Sequence, residues 1–123
     1  MATDIAMARP TYRNTRRWPR YKMNVPLRVI VHTADKIRII DGRGTELNEG
    51  GMTVWAGVES RAGDVIEVEF TPPYSGQPLR VRSEIRNRSG YTYGVQFMNE
   101  TPEDCDRVEQ IRGALQGIGT LIQ

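Results

Sequence analysis

The chain has 123 residues, enough for one domain with a modest core. Its net charge of +2 is unevenly placed: residues 1–23 hold six Lys/Arg and one acid, while residues 24–123 hold eleven Lys/Arg and fourteen acids. A basic arm on a mildly acidic body argues against wrapping of DNA and suits a local anionic partner, and one cysteine, Cys105, excludes a disulfide framework and a thiolate metal cluster.

Residues 1–12 read as a flexible tail and residues 13–123 as a single domain. The stretch YRNTRRWPRYK, Tyr12 to Lys22, carries Arg13, Arg16, Arg17, Arg20 and Lys22 and no acid. A solvated tail explains such a run, but Trp18-Pro19 inside it does not suit pure solvation. From Asn24 the pattern turns strand-like, and a barrel is expected over about residues 24–98. In VPLRVIVH, Val25, Leu27, Val29 and Val31 alternate with Arg28, Ile30 and His32, the period of a half-buried strand. KIRII sets Ile37 and Ile39 on one side, and Asp41-Gly42 reads as a turn. GMTVWA places Met52, Val54 and Ala56 on one face, and DVIEVEF does the same with Ile66, Val68 and Phe70. LRVRSEIRNR points Leu79, Val81, Ser83 and Ile85 inward, with Arg80 and Arg82 facing Glu69 and Glu67 as cross-strand ion pairs. Ser89-Gly90 is a hairpin loop, after which YTYGVQFM aligns Tyr91, Tyr93, Val95 and Phe97. About six short strands without helices between them imply a mainly β, antiparallel fold, and closure into a barrel avoids exposed edges.

The C-terminal segment is helical by pattern. Thr101 stands at the N-cap, Pro102 at the first helical position and Asp104 three residues after the cap, a capping-box start. Val108, Ile111, Leu115, Ile118 and Ile122 form a stripe at helical spacing. Gly113, Gly117 and Gly119 each cost about 1 kcal/mol in a helix interior, so the helix, expected over about 102–117 or beyond, should weaken near Gly117.

No catalytic constellation is legible. His32 has no second ligand type at metal spacing, no serine stands in a nucleophile elbow, and no Gly-rich phosphate loop opens a helix. The chain is therefore expected to be no enzyme and to need neither metal nor cofactor. The first ten residues lack an apolar signal segment and no run has the length of a membrane span, so a cytoplasmic protein without membrane insertion is expected.

A second unusual stretch is GTELNEGGMTV. Glu46 and Asn48, two apart, would share a strand face, and Gly50-Gly51 would permit positive φ, a close backbone approach and an anion nest. Together with the arginine arm it resembles the PilZ domain family. RRWPR fits that family's Arg-x-x-x-Arg motif at Arg16 and Arg20, ELNEGG is similar to its (Asp/Asn)-x-Ser-x-x-Gly motif, and YGVQF resembles its closing Gly-x-x-Phe strand. The resemblance covers roughly residues 13–100. It implies a six-stranded antiparallel barrel with a C-terminal helix and a bacterial receptor for the second messenger cyclic di-GMP.

On that resemblance, Arg16, Arg17 and Arg20 take phosphate and the Hoogsteen edge of guanine, for which the guanidinium fork is suited. Glu46 takes the guanine donors, Asn48 a phosphate or sugar oxygen, and Gly50 and Gly51 open the backbone to the ligand. Arg86, near the end of its strand, is a further candidate for stacking on a base. Glu46 and Asn48 depart from the family's Asp/Asn and Ser but keep the needed hydrogen-bond types. A protein-interaction adapter on the same barrel, without nucleotide, is the alternative. A downstream effector protein is implied, and the chain is expected to be a monomer or a weak homodimer.

Overall fold

The computed structural model describes residues 21–72 and 76–122, with side chains of the last element described through Gln116. Six strands form a closed antiparallel barrel: β1 (Tyr21–His32), β2 (Ile37–Leu47), β3 (Gly51–Ala56), β4 (Val65–Phe70), β5 (Leu79–Ser89) and β6 (Thr92–Phe97). Around the barrel the order is β1-β2-β3-β6-β5-β4, and β4 returns to β1. One helix, α1 (Pro102–Ile122), follows. The expected mainly β barrel with a C-terminal helix is what the chain forms. Its first strand begins at Tyr21, earlier than the change of pattern at Asn24 suggested.

The period-two strands fill the barrel. Leu27 and Val29, Met52 and Val54, Ile66 and Val68, Val81 and Ile85, and Tyr93 and Val95 are all buried in one cluster, joined from α1 by Ile111 and Leu115. Tyr91, expected on one face with Tyr93, Val95 and Phe97, is exposed while they are buried, because it lies in the hairpin turn before β6 begins. Ile30 shows the opposite departure: it shares a face with Arg28 and His32 yet is 2% exposed. It stands opposite Glu67 at the β1–β4 seam, flanked by the Arg28–Glu69 and His32–Glu67 pairs. Buried Tyr93 fastens the loop after β3, donating its hydroxyl to the Val58 carbonyl and accepting from Ser60 N–H at 3.3 Å.

Asp41-Gly42 is not a turn. Both residues lie inside β2, with Asp41 opposite Arg28 and Gly42 opposite both Leu27 and Ala56. A Cβ at Gly42 would stand 2.4 Å from the Trp55 carbonyl oxygen and 3.1 Å from Ala56 Cβ. The glycine is there so that neighbouring strands can approach, not to reverse the chain.

The helix start follows the sequence closely. Asp104 N–H donates to Thr101 Oγ1 at 3.0 Å, and Asp104 Oδ2 accepts from Thr101 N–H at 3.2 Å, completing the reciprocal capping box. The same carboxylate takes a forked hydrogen bond from Arg82, at 3.1 Å from Nε and 2.9 Å from Nη2. This corrects the expected Glu67–Arg82 pair. The two residues do face each other in the β4–β5 register, but Arg82 turns to the buried Asp104, and Glu67 instead meets His32 Nε2 at 2.7 Å. A fork onto a carboxylate already fixed by two backbone N–H groups is the better-organised choice. The other expected pair, Glu69 with Arg80, forms at 3.4 Å, and Arg28 joins it. The helix continues beyond Gly117, within the expected 102–117 or beyond, and runs to Ile122.

Two stability outcomes follow. Gly42→Ala should lower stability by about 1–3 kcal/mol, the range for overpacking, whereas Gly113→Ala, where an added Cβ meets nothing within 4 Å, should raise it by up to about 1 kcal/mol. Urea unfolding of both variants checks the contrast. The Arg82 fork, aided by the Glu100 and Thr101 N–H groups, holds the Asp104 carboxyl down at about 2 from its ordinary 3.8. A folded value below the unfolded one stabilises above about pH 4, and the gain is lost as pH falls toward about 2. Asp104→Asn should weaken the fold by about 1–3 kcal/mol near neutrality and flatten the wild-type loss of urea midpoint between pH 4 and pH 2.

Candidate functional site

The motif residues gather where β1 begins, β2 ends and β3 begins. Lys22 stands opposite Glu46 and Tyr21 opposite Leu47, so the first residues of β1 lie alongside the end of β2. Both strand pairs are irregular at this level. The β1–β2 register shifts between Lys22 and Val25, and the β2–β3 register between Gly44 and Glu46. A bulge re-aims the side chains beyond it. In β2 the half-buried residues before it are even-numbered (Ile40, Gly42), whereas Leu47 beyond it is buried, which leaves Glu46 outward beside Thr53 of β3.

Asn48 follows the strand and does something other than the alternation suggested. Its Oδ1 accepts from Gly50 N–H at 2.7 Å and Gly51 N–H at 2.9 Å, and its own N–H donates to the Gly51 carbonyl at 3.0 Å. It thus builds the turn. The anion nest expected from Gly50-Gly51 is filled by this side chain, and its carboxamide NH2 is the part not engaged by the turn. Positive φ was also expected at these glycines, but it occurs at Gly63, Gly76 and Gly90 instead. Gly51 does serve a close approach, though by β6: a Cβ there would lie 2.1 Å from the Val95 carbonyl oxygen. Phe97 N–H donates to the Gly50 carbonyl at 2.9 Å, which fixes the turn to the end of β6.

Glu49, between the motif positions, was not singled out from sequence. It accepts from Arg112 Nε at 2.8 Å, and Arg112 also pairs with Glu109. The turn is therefore held from above by α1 as well as from the side by β6. Nothing local to ELNEGG announces a partner so far along the chain. Beside the turn, between β5, β6 and the approach to α1, lies a cleft of about 200 Å³ lined by Glu84, Arg86, Gln96, Asn99 and Glu100 among others. Gln96 stands opposite Gly51. Arg86, a stacking candidate from sequence, sits here with its guanidinium 3.7 Å from Glu84. Both carboxylates of this cleft are ion-paired, Glu84 with Arg86 and Glu100 with Arg82 at 3.2 Å.

Of the sequence-predicted site residues, Glu46, Asn48, Gly50 and Gly51 are thus brought together within one strand end and turn. Arg16, Arg17 and Arg20 lie outside the described residues. No group of three or more His, Cys, Asp or Glu among the described residues could hold a metal ion. Among the described residues no helix is long and apolar enough to cross a membrane.

The chain matches the family described as PilZ domain over residues 14–113. It is also similar to solved structures. One is the PilZ domain of CeSA from a cellulose-synthesizing bacterium, at 14% identity and a TM-score of 0.62, covering 82% of this chain and 98% of that one. A second is the PilZ domain with c-di-GMP of YcgR from Escherichia coli, at 17% identity and a TM-score of 0.61, covering 86% and 95%. A third is the Bacillus subtilis inhibitor of motility MotI/DgrA, at 12% identity and a TM-score of 0.57, covering 84% of this chain and 52% of that one. Among curated proteins none matches the chain. These identities speak for the fold, while the match over residues 14–113 takes in the arginine arm, all six strands and the first half of α1, so the chain belongs to the PilZ domain family.

Proposed function

We propose that the chain is a receptor domain for cyclic di-GMP, with the arginine arm clamping the dinucleotide against the β2 end and its turn. The observation that carries this reading is the β1–β2 register. Tyr21 is the Cα partner of Leu47, and Arg20 is bonded to Tyr21, so the arm joins the fold at the motif. Arg16 is five residues from Tyr21, which caps their separation at about 18 Å even in an extended chain. The covalent chain thereby tethers the arm's arginines within reach of Glu46 and Asn48. A similar PilZ domain, that of YcgR, was solved with c-di-GMP, which supports the ligand class.

The chemistry divides between the two halves. Guanidinium forks take phosphate oxygens and guanine O6/N7. The outward carboxylate of Glu46 takes guanine N1–H and the exocyclic amine. Asn48 contributes a donor only, through its NH2, because its oxygen is spent on the turn. Gly50 and Gly51 serve by keeping that turn tight. The domain works as a receptor that passes its signal to an effector protein, in a bacterial cytoplasmic setting.

That same commitment of Asn48 and of both glycine N–H groups favours a second reading, an adapter on this barrel that binds no nucleotide.

Isothermal titration with cyclic di-GMP, using GMP and cyclic di-AMP as controls, decides between them. The receptor reading expects binding that Arg20→Ala abolishes, that Glu46→Ala weakens by roughly tenfold to a hundredfold, the worth of a good base contact, and that Arg9→Ala leaves unchanged. Absence of heat at high micromolar ligand overturns it in favour of the adapter.

A further inference from the structure

We infer that the free edge of β2, Ile37–Asp41, is a docking site for an extended, acidic and apolar segment of a partner protein, which adds to the barrel as a further strand. β2 is longer than the strand beside it. Its pairing with β3 begins at Gly42, opposite Ala56, while its pairing with β1 continues to Ile37 opposite His32. Among the described residues nothing therefore pairs with the β3 side of Ile37–Asp41, and after Ala56 the chain turns away, with Val58 N–H donating back to the Ala56 carbonyl and Tyr93 holding Ser60. Unpaired N–H and C=O groups in a row are a template for another strand.

The side chains on this segment are those of an interface. Ile37 is 60% and Ile39 57% exposed, on alternate residues and so on one face. The charge there is net positive. The arginines on β1, β5 and α1 from Arg28 to Arg112 enter ion pairs, whereas Lys36, Arg38 and Arg43 enter none among the described residues. Asp35 and Asp41 stand against these three cations, which leaves a net positive charge on the segment. An acidic strand neutralises them, and apolar residues at alternate positions cover the isoleucines.

A second copy of the chain fits poorly. Antiparallel pairing about a two-fold keeps partners on the same face. Centring it on Arg38 sets that guanidinium against its own copy, and centring it on Ile39 sets Ile37 opposite Asp41. A lipid surface could meet the isoleucines and cations but supplies no strand to pair the backbone.

The test is an NMR titration of the full 15N-labelled chain with a short alternating Glu-Val peptide, a Lys-Val counterpart, and phosphatidylglycerol vesicles. The inference expects the Glu-Val peptide to shift the amides of Ile37–Asp41 and slow their hydrogen exchange. It expects little from the other two probes, and a loss on the order of tenfold or more in Ile39→Glu or Arg38→Glu. Both residues are exposed, so both variants should fold, which their unshifted core amides would show. No shift at millimolar Glu-Val peptide, an equal response to Lys-Val, a response to vesicles alone, or protection of the edge on concentrating the chain without peptide each overturns it. The cyclic di-GMP titration is read at the other end of β2, so failure of that reading is separable from failure of this one.

Discussion

Barrel closure is the constraint on which the rest depends, and it is made across a short seam. β1 meets β4 through Arg28 opposite Glu69, Val29 opposite Val68 and Ile30 opposite Glu67. Val29 and Val68 bury inside, and Ile30 buries outside under charged neighbours. Glu69 lies between Arg28 and Arg80, and the Arg28 hydrogen bond above all holds its carboxyl below the usual range. This seam leaves no edge between β1 and β4 over that span. Because β1 is anchored there and paired along β2, its first residue arrives beside Leu47. The β1–β2 register thus sets Tyr21 beside the second motif.

The turn itself is over-determined. Asn48 holds it from within, Phe97 ties it to β6, and Arg112 ties Glu49 to the helix. The helix in turn is set by the Thr101–Asp104 box and the Arg82 fork. Ile111 and Leu115 join the barrel core on the same helix that carries Arg112. A chain of contacts therefore runs from the buried start of α1 to the motif turn.

Most of the barrel was legible because period-two alternation reports burial directly. GMTVWA, DVIEVEF and LRVRSEI face as their residues suggest, and TPED caps as local chemistry dictates. What was not legible came from neighbours distant in sequence. Asp41-Gly42 carries the same letters as a turn, and only the nearness of Trp55 and Ala56 shows the glycine is steric. Arg82 stands opposite Glu67 but forks onto Asp104, the carboxylate already fixed by backbone N–H groups, and takes Glu100 as a second partner. In ELNEGG the residue types were legible and their directions were not. A bulge turned Glu46 outward, and the Asn side chain closed on the turn instead of following the strand.

That last difference changes where an anion can be held. A pair of glycine N–H groups could have received a phosphate on the folded body, but both donate to Asn48 Oδ1. The cleft next to the turn offers Glu84 and Glu100 beside Arg86, whose nearest ion partner is Glu84. Around the motif Glu49, Glu84 and Glu100 are each ion-paired with an arginine of the body, which leaves little uncompensated charge there for a dianionic backbone. In the proposed reading the phosphates must be met from the arm, by guanidinium groups that only the β1–β2 register keeps nearby. The body then selects the base and the arm supplies the charge, so neither half makes a receptor alone.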